Sequence, residues 1–157
     1  MSEPRWLTPA QERAWRGYRL MRARLDLQLA RDLASQSGLS EADYDVLSNL
    51  SDAENHRWRL KDLAARMLWS PSRLSHHLAR MEQRGLVNRE ECREDGRGAE
   101  VSLTDQGLRT IETAAPGHVE SVRQHLIDQL DPEHVRALTE ITEAVLTHLN
   151  DLDSGRS

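Results

Sequence analysis

Ser72, Arg73, Ser75, His76, His77 and Arg80 are crowded into one short stretch that follows Ser70-Pro71. Such residues suit two chemistries: acid–base work by a Ser-His-His group, or hydrogen bonding to a polyanion. Helical spacing separates them. Ser70 can cap a helix and Pro71 fits its first position, so a helix is expected from Pro71 to Arg84, ended by Gly85. At about 100° per residue, Leu74, Leu78 and Met81 point inward. Ser72, Arg73, His76, Ala79 and Arg80 fall on the opposite side or its flank, Ser75 lies at an edge, and His77 leans inward. Small Ser72 and Ala79 let such a face approach a groove. Arg73 can donate two bonds to guanine, and Ser75 and His76 can bond base edges or phosphates. Arg80 and Arg84, farther along, are placed for the sugar–phosphate backbone. The chain has no P-loop, nucleotide-binding glycine fingerprint, HExxH or nucleophile elbow. No catalytic residue, no cofactor and no enzymatic activity are therefore expected.

The elements around this helix supply its brace. Leu60, Leu63, Ala64 and Met67 sit at helical spacing in a short preceding helix, and Leu68-Trp69-Ser70 makes the turn. A braced second helix of this kind is a helix-turn-helix. After Gly85 the period changes to that of strands, at Leu86 to Cys92 and Ala99 to Leu103. The turn Arg93-Glu94-Asp95-Gly96-Arg97-Gly98 between them reads as a wing, with Arg97 able to enter a minor groove. Ser70, Ser72, Arg73, Ser75, His76, His77, Arg80, Arg84, Arg93 and Arg97 are thus the expected DNA-contacting set.

Charge supports this placement. The net charge is −5, yet residues 57–97 hold ten basic and six acidic side chains, a surplus of four. Only the touching surface has to neutralise phosphates.

Outside the module lie long apolar stripes. Thr8-Pro9-Ala10-Gln11 opens a helix carrying Trp15, Leu20, Met21, Leu25, Leu27, Leu29 and Leu33, stopped by Ser37-Gly38. Ser40 opens a second helix with Tyr44, Val46, Leu47 and Leu50, followed by a polar loop around Ser51 to Arg57. Thr104 caps a long helix in which Pro116-Gly117 predicts a kink or break. Asp131-Pro132 caps a last one with Val135, Leu138, Ile141, Val145 and Leu149. A small core cannot absorb all these stripes, so they are expected to bury against each other or a second copy. The fold class is mainly α (α+β): a winged helix-turn-helix with a two-stranded wing. Expected segments are an N-terminal dimerisation helix at 1–38, a DNA-binding module at 39–104, and C-terminal dimerisation helices at 105–157.

Leu63-Ala64 through Ser70, Ser72-Arg73-Leu74-Ser75, Met81-Glu82-Gln83-Arg84-Gly85-Leu86-Val87, and Asp95-Gly96-Arg97 followed by Val101-Ser102-Leu103-Thr104-Asp105-Gln106-Gly107 resemble the MarR family of bacterial regulators. The register holds from about Leu39 to Gly107. The resemblance implies a homodimer joined through its terminal helices, with two recognition helices reading a palindrome in double-stranded DNA. It also implies a transcriptional regulator, expected to be a repressor, whose affinity responds to a small molecule or oxidant. Two positions depart from the family pattern. Leu68 stands where glycine is usual in the turn, and Gly98 follows Arg97 where many members carry another basic residue.

Trp15, Tyr18 and Arg22, with Trp58 and Trp69, are candidate residues for a pocket holding an aromatic or phenolic effector. Cys92 is the only cysteine. Arg93 is adjacent, but Glu90, Glu91 and Glu94 oppose thiolate formation, so a bland strand cysteine is expected. His118, His125, His134 and His148 have no His or carboxylate partner at i+4, although His125–Asp128 and His148–Asp151 pair at i+3; zinc needs three or four converging ligands, and no metal site is expected. A lone cysteine, no signal-peptide core and no apolar run of membrane-spanning length lead to the expectation of a cytoplasmic protein with no membrane partner.

Overall fold

The computed structural model describes residues 3–92 and 98–155. The chain divides into two compact units, Met1–Val119 and Glu120–Ser157. Compactness therefore groups the N-terminal helix with the module that follows it.

In the first unit, α1 (Pro9–Ser37) starts as expected. Thr8 accepts from the Gln11 amide and Gln11 returns a bond to the Thr8 N–H. Gly38, at φ +70°, stops it by a left-handed cap. A second reciprocal box, Ser40 with Asp43, opens α2 (Glu41–Asp52). The helix-turn-helix pair is α3 (Leu60–Arg66) and α4 (Pro71–Gln83). Leu63 and Ala64 of α3 meet Leu74, Leu78 and Met81 of α4 in the core, with Val46, Leu47 and Leu50 of α2 beneath them. Full burial of one such Leu side chain is worth about 1.5–3 kcal/mol. This stripe fixes which side of α4 faces out.

The turn into α4 has a left-handed residue. Leu68 sits at φ +57°, its N–H donating to Ala65 O while the Trp69 N–H donates to Ala64 O. That pattern is a Schellman close of α3 with leucine where glycine is easiest. The Leu68 side chain is 88% exposed, so packing offsets none of the strain.

The sheet has three strands, one more than the sequence reading allowed. β1 (Arg57–Arg59), β2 (Val87–Cys92) and β3 (Gly98–Leu103) lie antiparallel in the order β1-β3-β2. The expected polar loop ends instead in a short 3₁₀ turn, Glu54–His56, with Asn55 and His56 both left-handed. Three residues reading Arg-Trp-Arg are too short to show strand alternation. Only the pairing of Trp58 with Val101 reveals them.

Helix α5 (Asp105–His125) continues through Pro116 without the break that was one of the two expectations there. Pro116 is exposed, as is Glu112, whose carbonyl loses its helical donor. Water can satisfy that carbonyl, which tempers the penalty of the missing N–H.

The entry to α5 is tightly fastened. Thr104 N–H donates to Leu86 O at 3.2 Å and Thr104 Oγ1 donates to Gly85 O at 2.6 Å. Gly107 N–H then donates to Thr104 Oγ1 at 2.9 Å. A β-carbon on Gly107 would run into the Leu86 carbonyl oxygen, which is backbone and cannot step aside.

In the second unit, a 3₁₀ turn (Ile127–Gln129) precedes α6 (Pro132–Ser154), which Asp131 caps. No residue of α6 is buried, and Ile141, Val145, Leu146, Leu149 and Leu152 are all exposed.

Two substitutions separate strain from packing. Gly107→Ala should destabilise the fold by about 1–3 kcal/mol, and Leu68→Gly should stabilise it by about 1 kcal/mol. Urea denaturation midpoints moving in those opposite directions is the expected result.

Candidate nucleic-acid interface

Ser70 Oγ accepts from the Arg73 N–H at 3.2 Å and caps α4, and Pro71 follows at the first helical position. Burial sorts the residues named from the sequence. Ser70, Ser72, Arg73, His76, Arg80 and Arg84 are exposed and Ser75 is half-buried. His77 is the exception, at 9% exposure. It lies at the interior edge of the helix and not on the outer face. Arg93 and Arg97 lie outside the described residues.

Each arginine of α4 is held differently. The Arg73 guanidinium carbon lies 3.9 Å from the centroid of the Trp69 ring. Arg80 Nη2 lies 3.1 Å from His77 Nδ1. Arg84 Nη1 donates to Asp43 Oδ2 at 2.8 Å. An arginine whose charge is already paired has less of it to offer phosphate. Arg73, stacked by its face, keeps the edge of its fork open.

Asp43 is the anchor beneath this face. Its buried carboxylate takes the Ser40 N–H at 3.0 Å and the Arg84 guanidinium, and His77 Nε2 lies 3.0 Å from Oδ1. Since the Arg80 guanidinium can only donate, His77 Nδ1 is the acceptor, and the ring proton belongs on Nε2, toward Asp43. Burial pushes the Asp43 carboxyl up, but the Arg84 hydrogen bond and charge, with the Ser40 bonds, outweigh it and hold it below the ordinary carboxylate range. For His77, burial is the largest influence and lowers its pKa. Asp43 pulls it upward and Arg80 and Arg84 push it down, and the net is below the ordinary value.

On the other flank, Arg89 of β2 clasps α4. Its backbone N–H donates to Glu82 Oε2 at 2.9 Å, Nη2 to Glu82 Oε1 at 3.3 Å, and Nη1 to Ser75 O at 3.3 Å. Sequence reasoning passed over Asp43, Glu82 and Arg89. Charged residues at partly buried strand and helix positions were the available signal, and pattern alone did not pair them.

The candidate effector residues separate into two groups. Trp58 donates from Nε1 to Asn49 O at 3.0 Å and packs on the core with Arg66 over its ring. Trp69 is held by Arg73 and by an edge contact with His77. On α1, Trp15 and Tyr18 stack with centroids 5.9 Å apart and Arg22 lies over Tyr18. A cleft of about 410 Å³ in the first unit is lined by other residues, among them Gln36, Gln106, Arg109 and Thr113. Among the described residues, no group of three or more His, Cys, Asp or Glu side chains is arranged to hold a metal, and no helix is long and apolar enough to cross a membrane.

His77 links this geometry to acid. Folding holds its pKa below the ordinary 6.5, so the unfolded chain takes up the proton first. Its contribution to stability is complete above pH 6.5 and is lost as pH falls through the folded value. Asp43, lowered from 3.8, acts in the same direction in stronger acid. Melting temperature should therefore fall between pH 7 and about pH 5, and His77→Gln should flatten that slope.

The MarR family profile matches residues 37–98, from the end of α1 to the start of β3. The chain is similar to AbsC, a MarR family transcriptional regulator from Streptomyces coelicolor. Identity is 42%, covering 94% of this chain and 99% of that one, with a TM-score of 0.88. Sco3205, another MarR family transcriptional regulator from Streptomyces coelicolor, was solved in complex with DNA. It is 39% identical, with coverage of 95% and 93% and a TM-score of 0.88. The HTH-type transcriptional repressor YetL of Bacillus subtilis is 29% identical over 109 residues, which span 68% of this chain and 65% of YetL, slightly less than two thirds. Near-complete coverage at 42% identity, on the same fold, makes this chain a member of the MarR family of transcriptional regulators.

Proposed function

We propose that the protein is a repressor that binds a palindromic operator as a homodimer, inserting α4 of each copy into the major groove. The observation that carries this reading is the outer face of α4: Ser72, Arg73 and His76 exposed at its N-terminal half, with an apolar stripe locking the opposite side. That is the half of a recognition helix that reaches base edges. Similarity to Sco3205, solved with DNA, and to YetL, a repressor, supports it. The proposed role is binding, with no catalysed reaction.

Unpartnered apolar surface supports the dimer. Trp15, Tyr18, Leu20, Met21 and Leu27 of α1 are exposed, as are six large apolar residues of α6. Exposure on this scale marks an interaction surface. In the proposed dimer, residues 1–38 and 105–157 carry the interface and residues 39–104 carry DNA binding. Arg93 and Arg97 take the wing contacts. Trp15, Tyr18 and Arg22 form the exposed aromatic and cationic group proposed to receive an aromatic or phenolic effector.

Selection of bound fragments from genomic DNA, with affinity measured across a salt series, tests the reading. A palindrome bound several kcal/mol better than random duplex is expected. Its half-sites should be centred about 34 Å apart. Arg73→Ala should remove discrimination at one base position, at about 1–3 kcal/mol. Binding that is weak, salt-driven and without sequence preference would refute sequence-specific regulation. Truncation before Pro132 should abolish the dimer in sedimentation; a stable truncated dimer would remove α6 from the interface.

A further inference from the structure

We propose that Trp69 is a positioning residue for base reading: its indole ring is a platform that presents the Arg73 guanidinium, edge outward, to a guanine. The inference rests on the proposed reading of α4 as the base-reading helix. Trp69 is the residue just before the Ser70 cap, and Arg73 lies in the first turn of α4, so the guanidinium folds back over the ring from the helix that follows it.

Three observations carry it. The guanidinium carbon is 3.9 Å from the ring centroid, the distance of face-on stacking. The ring is placed by its neighbours: the Trp69 backbone N–H, bonded to Ala64 O at 2.9 Å, fixes the main chain, the side chain packs against the core, and His77 meets the ring edge-on at 5.7 Å and 87°. Among the described residues no hydrogen bond engages the Arg73 guanidinium, although Arg80, Arg84 and Arg89 are each bonded to side chains. A guanidinium stacked by its face keeps its N–H donors free at the edge of the plane, the fork that matches guanine O6 and N7. An unstacked arginine samples many rotamers and must be ordered when it binds; a stacked one is ordered beforehand.

The left-handed Leu68 belongs to the same device. Its turn carries the chain out of α3 at the angle that sets the Trp69 ring beneath Arg73. His77 ties the platform to Asp43, so the ring is braced from α2 as well.

The test uses the full-length protein, its selected operator, and the same operator with the guanine pair assigned to Arg73 replaced. The ratio of the two Kd values is read for the wild type, Trp69→Phe, Trp69→Met and Arg73→Ala, and for the Met/Ala double variant. Methionine fills apolar space but offers no π face. Trp69→Met should reduce the ratio by about tenfold or more, with affinity for random duplex unchanged, and Trp69→Phe should retain most of it. The double variant should discriminate no worse than Arg73→Ala alone, because both changes remove one interaction. If Trp69→Met keeps the wild-type ratio while Arg73→Ala loses it, the platform is refuted and base reading by α4 stands. If Trp69→Met weakens every duplex equally, Trp69 is only a packing residue and the platform is again refuted. A wild type that does not discriminate overturns both.

Discussion

The role proposed for α4 requires a fixed rotation about the helix axis, and a buried carboxylate constrains it. The apolar stripe of Leu74, Leu78 and Met81 chooses a face, but apolar contact is non-directional and tolerates sliding. Asp43 is directional. Buried and charged, it needs partners: Arg84, the C-cap of α4, donates to it, and His77 of α4 lies 3.0 Å from it. Removing either would leave a buried charge short of partners, among the more destabilising changes available to a protein. The clasp of Arg89 on Glu82 and Ser75 O constrains the other flank from the wing strand. Between them α4 is fixed to α2 on one side and β2 on the other, and the polar outer face follows from where those anchors lie.

This arrangement reassigns the positive charge that singled out the middle of the sequence. A surplus of four between residues 57 and 97 reads as a basic surface, yet several of its members face inward or sideways. Arg84 and Arg89 hold the helix in place, and Arg66 bonds Asn49 and covers Trp58. Arg73 stands on the outer face of α4 and stacks on Trp69, with no hydrogen bond to its guanidinium among the described residues. Net charge therefore overstated the cationic surface offered to a polyanion, although it located the module correctly.

Much of the fold was legible because capping and periodicity are local. Thr8 with Gln11, Ser40 with Asp43, and Ser70 with Pro71 each mark a helix start where the structure has one. The strained turn at Leu68 was also readable, since a family pattern with glycine there implies a left-handed residue. What escaped depends on distant pairing. β1 exists only because Trp58 lies against Val101, forty-three residues on. His77 was read as leaning inward yet kept in the DNA-contacting set, because its neighbour Asp43 lies on another helix. A break of α5 at Pro116 was one expectation because a missing N–H is visible in sequence, whereas the exposure of Glu112, whose carbonyl loses that donor, is not. The Val-x-Leu-Thr-x-x-Gly signature was legible as a pattern, but its reason is mechanical: Thr104 bonds Gly85 and Gly107, and Gly107 has no room for a side chain.

That joint has a further meaning. Gly85 and Leu86 close α4, Thr104 closes β3, and Gly107 lies in the first turn of α5; three hydrogen bonds and one backbone contact join them without slack. It works as a locked elbow, with Thr104 as the pin. A rotation imposed on the first turn of α5 is delivered to the C-terminal end of the reading helix and to the base of the wing together. In the proposed complex with DNA the reading helix and the wing must then turn as a pair, which couples the contacts assigned to the two grooves.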